Sequence, residues 1–321
     1  MDTFYYLIQH MLPVAIPLLL VALGGMFSER SGIINIALEG IMLFGAFFGV
    51  LLVYNMQTGS TNAQVLLLIG MVIAGIAGLI YSLLLAFAAI NMKANQVIIG
   101  TALNMLVPAM VLLFSKMFFN SDGITTNVAM YVTEVPLLSK IPFIGDLFFK
   151  NTYITVYIGI IFLIGLTILL YKTRFGLRLR ACGEHPHAAD SVGINVYKMR
   201  YYGVLISGVL AGIGGFFYAV GVTDANVSGH SGVQGFGFLA LAVMIFGQWK
   251  PIRIFFSALL FAFLRTVAYS ISLIPFLDNL NLPRTFYQIL PYLATLIVLI
   301  FTSKKSRAPK AEGIPYDKSL R

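Results

Sequence analysis

The sequence predicts an all-α polytopic membrane protein with about nine transmembrane helices. Hydrophobic residues make up 59% of the 321 residues, and charged residues make up only 10%. The mean hydropathy is +0.90. A soluble domain carries about 25% charged residues, and a soluble fold this apolar could not cover its surface with polar groups. At about 20 residues per span, the chain forms one bundle of roughly eight to ten helices.

Nine apolar segments of the sequence are candidates for these spans. The third is long enough for a tilted or broken helix, whereas the seventh is short for a full span and is compatible with a re-entrant helix. Together they predict a single transmembrane domain over residues 1–302. The segments lie near residues 4–27, 33–54, 63–90, 95–118, 152–171, 201–222, 233–248, 252–275 and 285–302.

The basic residues predict the orientation of the bundle. With nine spans and the C-terminus inside, sixteen Lys and Arg residues fall in cytoplasmic segments and three in outer loops. Because cytoplasmic loops of membrane proteins are enriched in basic residues, we expect the N-terminus outside and the C-terminus inside. The net charge of +9 therefore reflects membrane topology and does not indicate nucleic-acid binding.

Two loops and the tail stand out. Residues 119–151 form an outer loop, and residues 172–200 form an inner loop that is strongly basic at its start. In the inner loop, Pro186 can begin a short helix and Gly193 can end it. This loop also holds the single cysteine, Cys182, which we interpret as a bystander thiol. Residues 303–321 are predicted to form a charged, mobile cytoplasmic tail.

Small residues recur at four-residue spacing within the spans. Gly45 and Gly49 form one pair, and Gly208 and Gly212 form another, with Gly215 close by. Such pairs allow helix backbones to approach closely in lipid. They predict tight helix packing and carry no information about a solute.

The sequence contains no recognisable catalytic apparatus. The dipeptide Gly-Lys never occurs, so the chain has no P-loop for ATP hydrolysis. A Gly-x-Gly-x-x-Ala string begins at Gly235, but it lies in an apolar span without a preceding strand and so does not indicate dinucleotide binding. His185 and His187 lack a thiolate or third ligand nearby and are interpreted as solvated loop residues. We therefore expect a non-catalytic chain without a metal site.

Polar residues inside the spans are the candidates for a translocation path, because each costs free energy in lipid and should face a partner or a cavity. Glu39 follows Asn35 by four residues, which would place both on one helix face. Its carboxylate either contributes to a polar pathway or is a structural group bonded to neighbouring helix ends or to Arg30, and Arg265 is a possible ion-pair partner. The fourth segment adds Asn95, Gln96 and Asn104.

The amides of the fourth segment allow the same two interpretations. They suit the hydroxyls and ring nitrogens of a sugar or base, or they form interhelical hydrogen bonds. Ionisable residues are otherwise scarce in the spans, which argues against a carrier driven by protons or sodium ions.

Two sequence blocks carry a resemblance to a known family. The inner loop resembles the coupling-helix region of ABC importer permeases of the branched-chain amino acid, ribose and nucleoside group. The block from Ser28 to Gly40, followed by Gly45 and Gly49, is similar to the nucleoside and simple-sugar branch. The matching loop residues are Thr173, Phe175-Gly176, Leu179-Arg180-Ala181, Gly183, Pro186, Ala188-Ala189 and Gly193-Ile194, continued by Ser207-Gly208 and Ala211-Gly212.

This resemblance implies a type II-like ABC importer permease in a bacterial plasma membrane. It implies pairing with a second, related permease, delivery of solute by an extracellular binding lipoprotein, and a separate cytoplasmic ABC ATPase that supplies ATP and Mg²⁺ chemistry, with no cofactor in this chain. The alternatives are a secondary carrier or channel that needs no ATPase, and a membrane scaffold. The ATPase would dock on Pro186, His187, Ala188, Ala189, Asp190, Ser191, Val192 and Gly193.

Overall fold

The computed structural model shows a helical bundle. The structure describes residues 2–57, 62–126, 128, 130–134, 139, 145, 150–230, 232–271, 283, 287, 289–290, 293 and 308–318. The helices are α1 (Asp2–Arg30), α2 (Leu38–Met56), α3 (Ala63–Ala86), α4 (Gln96–Phe119), α5 (Ile154–Lys172), α6 (Arg174–Glu184), α7 (Pro186–Ser191), α8 (Val196–Val222), α9 (Phe236–Phe246) and α10 (Pro251–Tyr269).

Seven helices of the described residues are long and apolar enough to cross a membrane: α1 to α5, α8 and α10. This confirms the predicted polytopic bundle. Helix α9 has 11 residues, about 16 Å at 1.5 Å per residue and therefore about half the hydrocarbon core. It corresponds to the short seventh segment. The predicted ninth segment, 285–302, lies outside the described residues apart from four isolated positions.

Helix α8 occupies the centre of the bundle and packs against α1, α2 and α3. A methyl group on Gly45 of α2 would lie 2.4 Å from the Cα of Gly212 in α8, and one on Gly215 would lie 1.9 Å from the carbonyl oxygen of Met42. Both contacts exclude any side chain, so these backbones touch directly. The tight packing predicted from the glycine spacing is confirmed.

The two ends of the bundle differ in structure. We call the end that carries α6 and α7 the α7 end. At the opposite end, two antiparallel ladders form from short strands: β1 (Gly123–Thr125) pairs with β4 (Asn226–Ser228), and β2 (Tyr131–Glu134) pairs with β3 (Lys150–Tyr153). These strands have three or four residues each, too few for a recognisable alternation in the sequence, and they are additions to the predicted helical fold.

The α7 end corrects two expectations. The inner loop, 172–200, contains the 11-residue helix α6 in addition to the predicted short helix α7. The tail is not mobile throughout, because Ala311 and Tyr316 of residues 308–318 are only 6% and 4% exposed. The residues between 301 and 307 and beyond 318 lie outside the described part of the chain.

Candidate functional site

A non-helical break over residues 31–37 separates α1 from α2 at the α7 end. The hydroxyl of Ser28 donates to the carbonyl of Ile33 at 2.7 Å, and the hydroxyl of Ser31 donates to the carbonyl of Ser28 at 2.6 Å. Lipid offers no hydrogen bonds, so irregular backbone at membrane depth must be buried in protein with its polar groups paired. The polar side chains around the break supply such partners.

Helix α4 provides amide side chains to the break. The Oε1 of Gln96 accepts from the backbone N–H of Ile34 at 2.7 Å. Two turns further along, the Oδ1 of Asn104 accepts from the N–H of Gly40 at 2.7 Å, and its Nδ2 donates to the carbonyl of Ile36 at 2.8 Å. The two amides are eight positions apart, which corresponds to about 12 Å of helix. The chain from Ile34 to Gly40 is thus bonded to α4 at both ends.

Asn35 and Asn95 also bond to protein groups. The Nδ2 of Asn35 donates to the hydroxyl of Ser207 in α8 at 2.8 Å, and Asn35 is fully buried. Asn95 is exposed and caps α4 by accepting from the N–H groups of Val97 and Ile98. The expectation that Asn35 and Glu39 share a helix face is wrong, because α2 begins at Leu38 and Asn35 lies in the break.

Replacing Asn104 by Asp tests its role in the break. The carboxylate keeps an acceptor for Gly40 but loses the donor to Ile36, and it places a negative charge beside a carbonyl oxygen. We expect a loss of about 1–3 kcal/mol in stability, measured as a lower thermal midpoint of the purified protein. Thr101→Val on the same helix is the control, since in the described part of the chain its exposed hydroxyl bonds to carbonyls of its own helix alone. An unchanged midpoint for Asn104→Asp would contradict this role.

Glu39 binds the N-terminus of the half-length helix α9. Its Oε1 accepts from the N–H of Gly235 at 2.8 Å, and its Oε2 accepts from the N–H of Gly237 at 2.6 Å. The first N–H groups of a helix lack partners within it and carry partial positive charge. The Glu39 carboxylate supplies both the hydrogen-bond acceptors and the negative charge that this helix end needs inside the bundle. Of the two interpretations of Glu39, these contacts match the carboxylate bonded to a neighbouring helix end.

Arg265 lies near the start of α9 without pairing with Glu39 in the described structure. Its Nη2 donates to the Oε1 of Gln234 at 3.3 Å, and its guanidinium stands 4.2 Å from the ring centre of Phe236. The structure therefore groups Asn35, Glu39, Gln96 and Asn104 around the break and the start of α9. Whether these residues also line a solute path stays a prediction.

A cavity of about 350 Å³ lies at the end of the bundle opposite α7. The first turns of α1 and the last turns of α8 and α10 line this half-open cavity. Its walls combine Arg265 and Gln234 with the aromatic rings of Tyr6, His10 and Tyr269. Small-molecule sites typically have volumes of about 300–1,000 Å³ and combine aromatic walls with a few polar groups, so this cavity can hold a small polar solute with a ring system.

Helices α6 and α7 form a separate surface at the α7 end. The hydroxyl of Thr173 accepts from the N–H of Gly176 at the start of α6, and Gly193 adopts a φ of +82° just after α7. Pro186 occupies the first position of α7. His187, Ala188, Ser191, Val192 and Gly193 are exposed, whereas Ala189 is buried against the bundle and Asp190 is partly buried. Helix α7 thus has one exposed face and one face that is packed against the bundle.

Gly183 and Cys182 of α6 are both buried against the rest of the bundle. A methyl group on Gly183 would lie 2.3 Å from the carbonyl oxygen of Arg30, so α6 touches the end of α1 directly. The adjacent Cys182 is fully buried, and burial raises the pKa of its thiol to about 11. A thiol of this kind is protonated at neutral pH and unreactive, in agreement with the interpretation of Cys182 as a bystander.

One buried cluster at the α7 end is not foreseen by the sequence. The indole Nε1 of Trp249 donates to the carboxylate of Glu29, and the Nη2 of Arg30 donates to the carbonyl of Trp249 at 3.1 Å. Arg30 also approaches Glu184 of α6 at 3.7 Å. The single tryptophan beside the basic residues of a short loop is the only signal for this cluster in the sequence.

Comparison with known proteins assigns the bundle to a family. Residues 7–299 match the family described as permease components of branched-chain amino acid transport systems. The nucleoside ABC transporter permease protein NupC of Lactococcus lactis subsp. cremoris (strain MG1363) is 41% identical over 99% of this chain and 98% of its own length. The guanosine ABC transporter permease protein NupQ of Bacillus subtilis (strain 168) is 42% identical over 96% of this chain and 95% of its own.

A second permease of the same Lactococcus strain, the nucleoside ABC transporter permease protein NupB, is more distant. It is 26% identical over 93% of this chain and 80% of its own length. No solved structure matches the chain. The family model covers most of the chain, and two ABC transporter permeases above 40% identity cover nearly all of it, so the chain belongs to the family of ABC transporter permease components described for branched-chain amino acid transport systems.

Proposed function

We propose that the chain is the permease subunit of an importer for nucleosides or related sugar-like solutes, driven by a separate cytoplasmic ATPase that docks on α7. The exposed face of α7 carries this proposal, because a short helix between two spans offers a free surface to a partner and the chain contains no P-loop of its own. ATP-driven motion of the ATPase would displace α7 and shift the bundle between outward-open and inward-open states, provided that the ATPase contacts the two states differently.

The solute class follows from the relatives. NupC and NupQ are named for nucleoside and guanosine transport, and both cover nearly all of this chain. The existence of both NupC and NupB in one Lactococcus strain supports pairing of this chain with a second, distinct permease. An extracellular binding lipoprotein would deliver the solute to the end opposite α7. The α7 end would be cytoplasmic, as the basic residues predict.

The experiment that tests the solute is uptake of radiolabelled guanosine by cells that express the complete transporter. Competition with other nucleosides, free ribose and branched-chain amino acids defines the class. We expect nucleosides to compete and amino acids to have no effect. Competition by leucine or isoleucine alone would contradict the proposal. Guanosine uptake that persists when the ATPase is inactivated would favour the alternative, a secondary carrier or channel.

The cavity opposite α7 is our candidate for the first solute contact within this chain. Stacking of a base on an aromatic side chain is worth about 1–3 kcal/mol. Tyr269 lines the cavity and is 56% exposed, so Tyr269→Ala should raise the KM for guanosine uptake about five-fold or more, whereas Tyr269→Phe should not. The control is Phe256→Ala, an exposed aromatic of the same helix that does not line the cavity. Equal KM values for Tyr269→Ala and wild type would exclude stacking here.

A further inference from the structure

Residues 308–318, which we call the C-terminal strap, lie across the α7 end of the bundle. The backbone N–H of Ala311 donates to the carbonyl of Gly183 in α6 at 2.9 Å. The N–H of Gly313 donates to the carbonyl of Gly32 in the break at 3.2 Å. The strap is thus hydrogen-bonded to both the coupling region and the break.

Helix α8 and the turn before α4 hold the strap from the other side. The Nη1 of Arg200 donates to the carbonyl of Ile314 at 3.0 Å, and Arg200 is only 1% exposed. Its guanidinium also lies 5.9 Å from the ring centre of Tyr316. Lys93 forms an ion pair with Asp317. The bond to the strap backbone gives the buried guanidinium a hydrogen-bond partner, which offsets part of the cost of its desolvation.

The far end of the strap contacts α7 itself. Tyr316 packs with the buried side chains of Cys182, Ala189 and Val196. Its ring centre lies 5.1 Å from that of His187, and Lys318 approaches Asp190 at 4.0 Å. Tyr316 therefore fills the space behind the anchored face of the docking helix.

We propose that the C-terminal strap is a positioning element for transport, which fixes α7 to the break at residues 31–37 so that displacement of α7 is passed to the break and to the start of α9. The strap bonds to Gly32, the break continues along Gln96 and Asn104 to Gly40, and Glu39 holds α9. This chain of contacts joins the docking surface to the interior of the bundle. The inference rests on the proposed function, in which an ATPase moves α7.

Glu312 provides a control within the strap. Burial raises the pKa of its carboxyl to about 7, next to Glu29 and Arg30 of α1. The neutral form therefore suits the docked strap better than the charged form. Glu312→Gln keeps the size of the side chain and fixes it in a neutral state, so this variant should retain a docked strap and normal transport.

The first test uses the complete transporter reconstituted in proteoliposomes, with guanosine uptake and ATP hydrolysis measured together. A chain that ends at Arg307 and the variant Tyr316→Ala should both assemble, yet transport about ten-fold less guanosine per ATP hydrolysed. Glu312→Gln should match wild type within about two-fold. These magnitudes correspond to about 1.4 kcal/mol per ten-fold change. Normal transport per ATP in the truncated and Tyr316→Ala complexes would overturn the proposal.

A charge exchange tests the strap without truncation. Asp317→Lys places a second positive charge opposite Lys93 and should reduce transport per ATP about three-fold. The double variant with Lys93→Asp should restore transport, because the ion pair is re-formed with reversed charges. A double variant as defective as the single one would count against the proposal. Failure of the wild-type complex to take up any nucleoside would reject the proposed solute and not the strap. The strap would then be tested without a solute, by measuring how much the binding protein stimulates ATP hydrolysis in wild-type and variant complexes.

Discussion

Glu39→Gln is expected to reduce guanosine uptake at least ten-fold while the transporter still assembles. The carboxylate accepts from two backbone N–H groups at the start of α9, at 2.8 and 2.6 Å. A glutamine supplies one acceptor oxygen, and its NH2 group meets the second N–H donor. Hydrogen bonds to charged groups contribute about 1.5–3 kcal/mol each, and the loss falls on the start of a helix inside the bundle.

Gly237→Ala tests the same contact from the side of α9. A methyl group on Gly237 would lie 2.4 Å from the backbone nitrogen of Glu39, so α9 would be displaced from α2. We expect a defect in uptake at least as large as that of Glu39→Gln. Gly165→Ala is the matched control, because a methyl group at Gly165 meets nothing within 4 Å. Normal uptake by both Glu39→Gln and Gly237→Ala would show that the contact between Glu39 and α9 is not needed for transport.

Ala188→Glu is expected to reduce uptake at least ten-fold through loss of ATPase docking. Ala188 is exposed on the free face of α7, so this chain can accommodate a larger charged side chain there. At the interface with the ATPase, the same side chain would bury an unpaired charge, which costs several kcal/mol. Membrane insertion and thermal stability should be unchanged. Co-purification of the ATPase with the permease measures the docking directly.

Two further variants define the specificity of that result. Ala188→Ser keeps the side chain small and neutral and should dock and transport normally. Gly183→Asp is the less informative change, because its side chain would collide with the carbonyl of Arg30 and disturb the junction of α6 and α1. Full ATPase binding by Ala188→Glu would place the docking surface elsewhere.

Composition and span pattern were sufficient to predict the membrane bundle, since apolar segments of about 20 residues have few alternative folds. The inner loop likewise predicted α7 from Pro186 and Gly193. The break was not predictable from the span pattern, because residues 33–37 are as apolar as the helix that follows them. Its non-helical form depends on distant partners: Gln96, Asn104 and Ser207.

The polar residues of the spans illustrate the same limit. Because polar side chains are costly in lipid, Glu39 and Asn104 could be predicted to have partners. The sequence alone could not show whether that partner is a solute or the backbone of another helix. The strap was missed for a related reason. Its composition is that of a solvated tail, and its docking depends on Arg200 and Gly32, more than 100 residues away in the chain.

ATP-driven import through α7 is tested most directly by guanosine uptake into proteoliposomes that contain the permease pair. The vesicles also contain either the active ATPase or an ATPase variant that binds but does not hydrolyse ATP. We expect accumulation against a gradient with the active ATPase, and none with the inactive variant or with the permeases alone. Accumulation by the permeases alone, or an equal rate with the inactive ATPase, would contradict an import driven through α7.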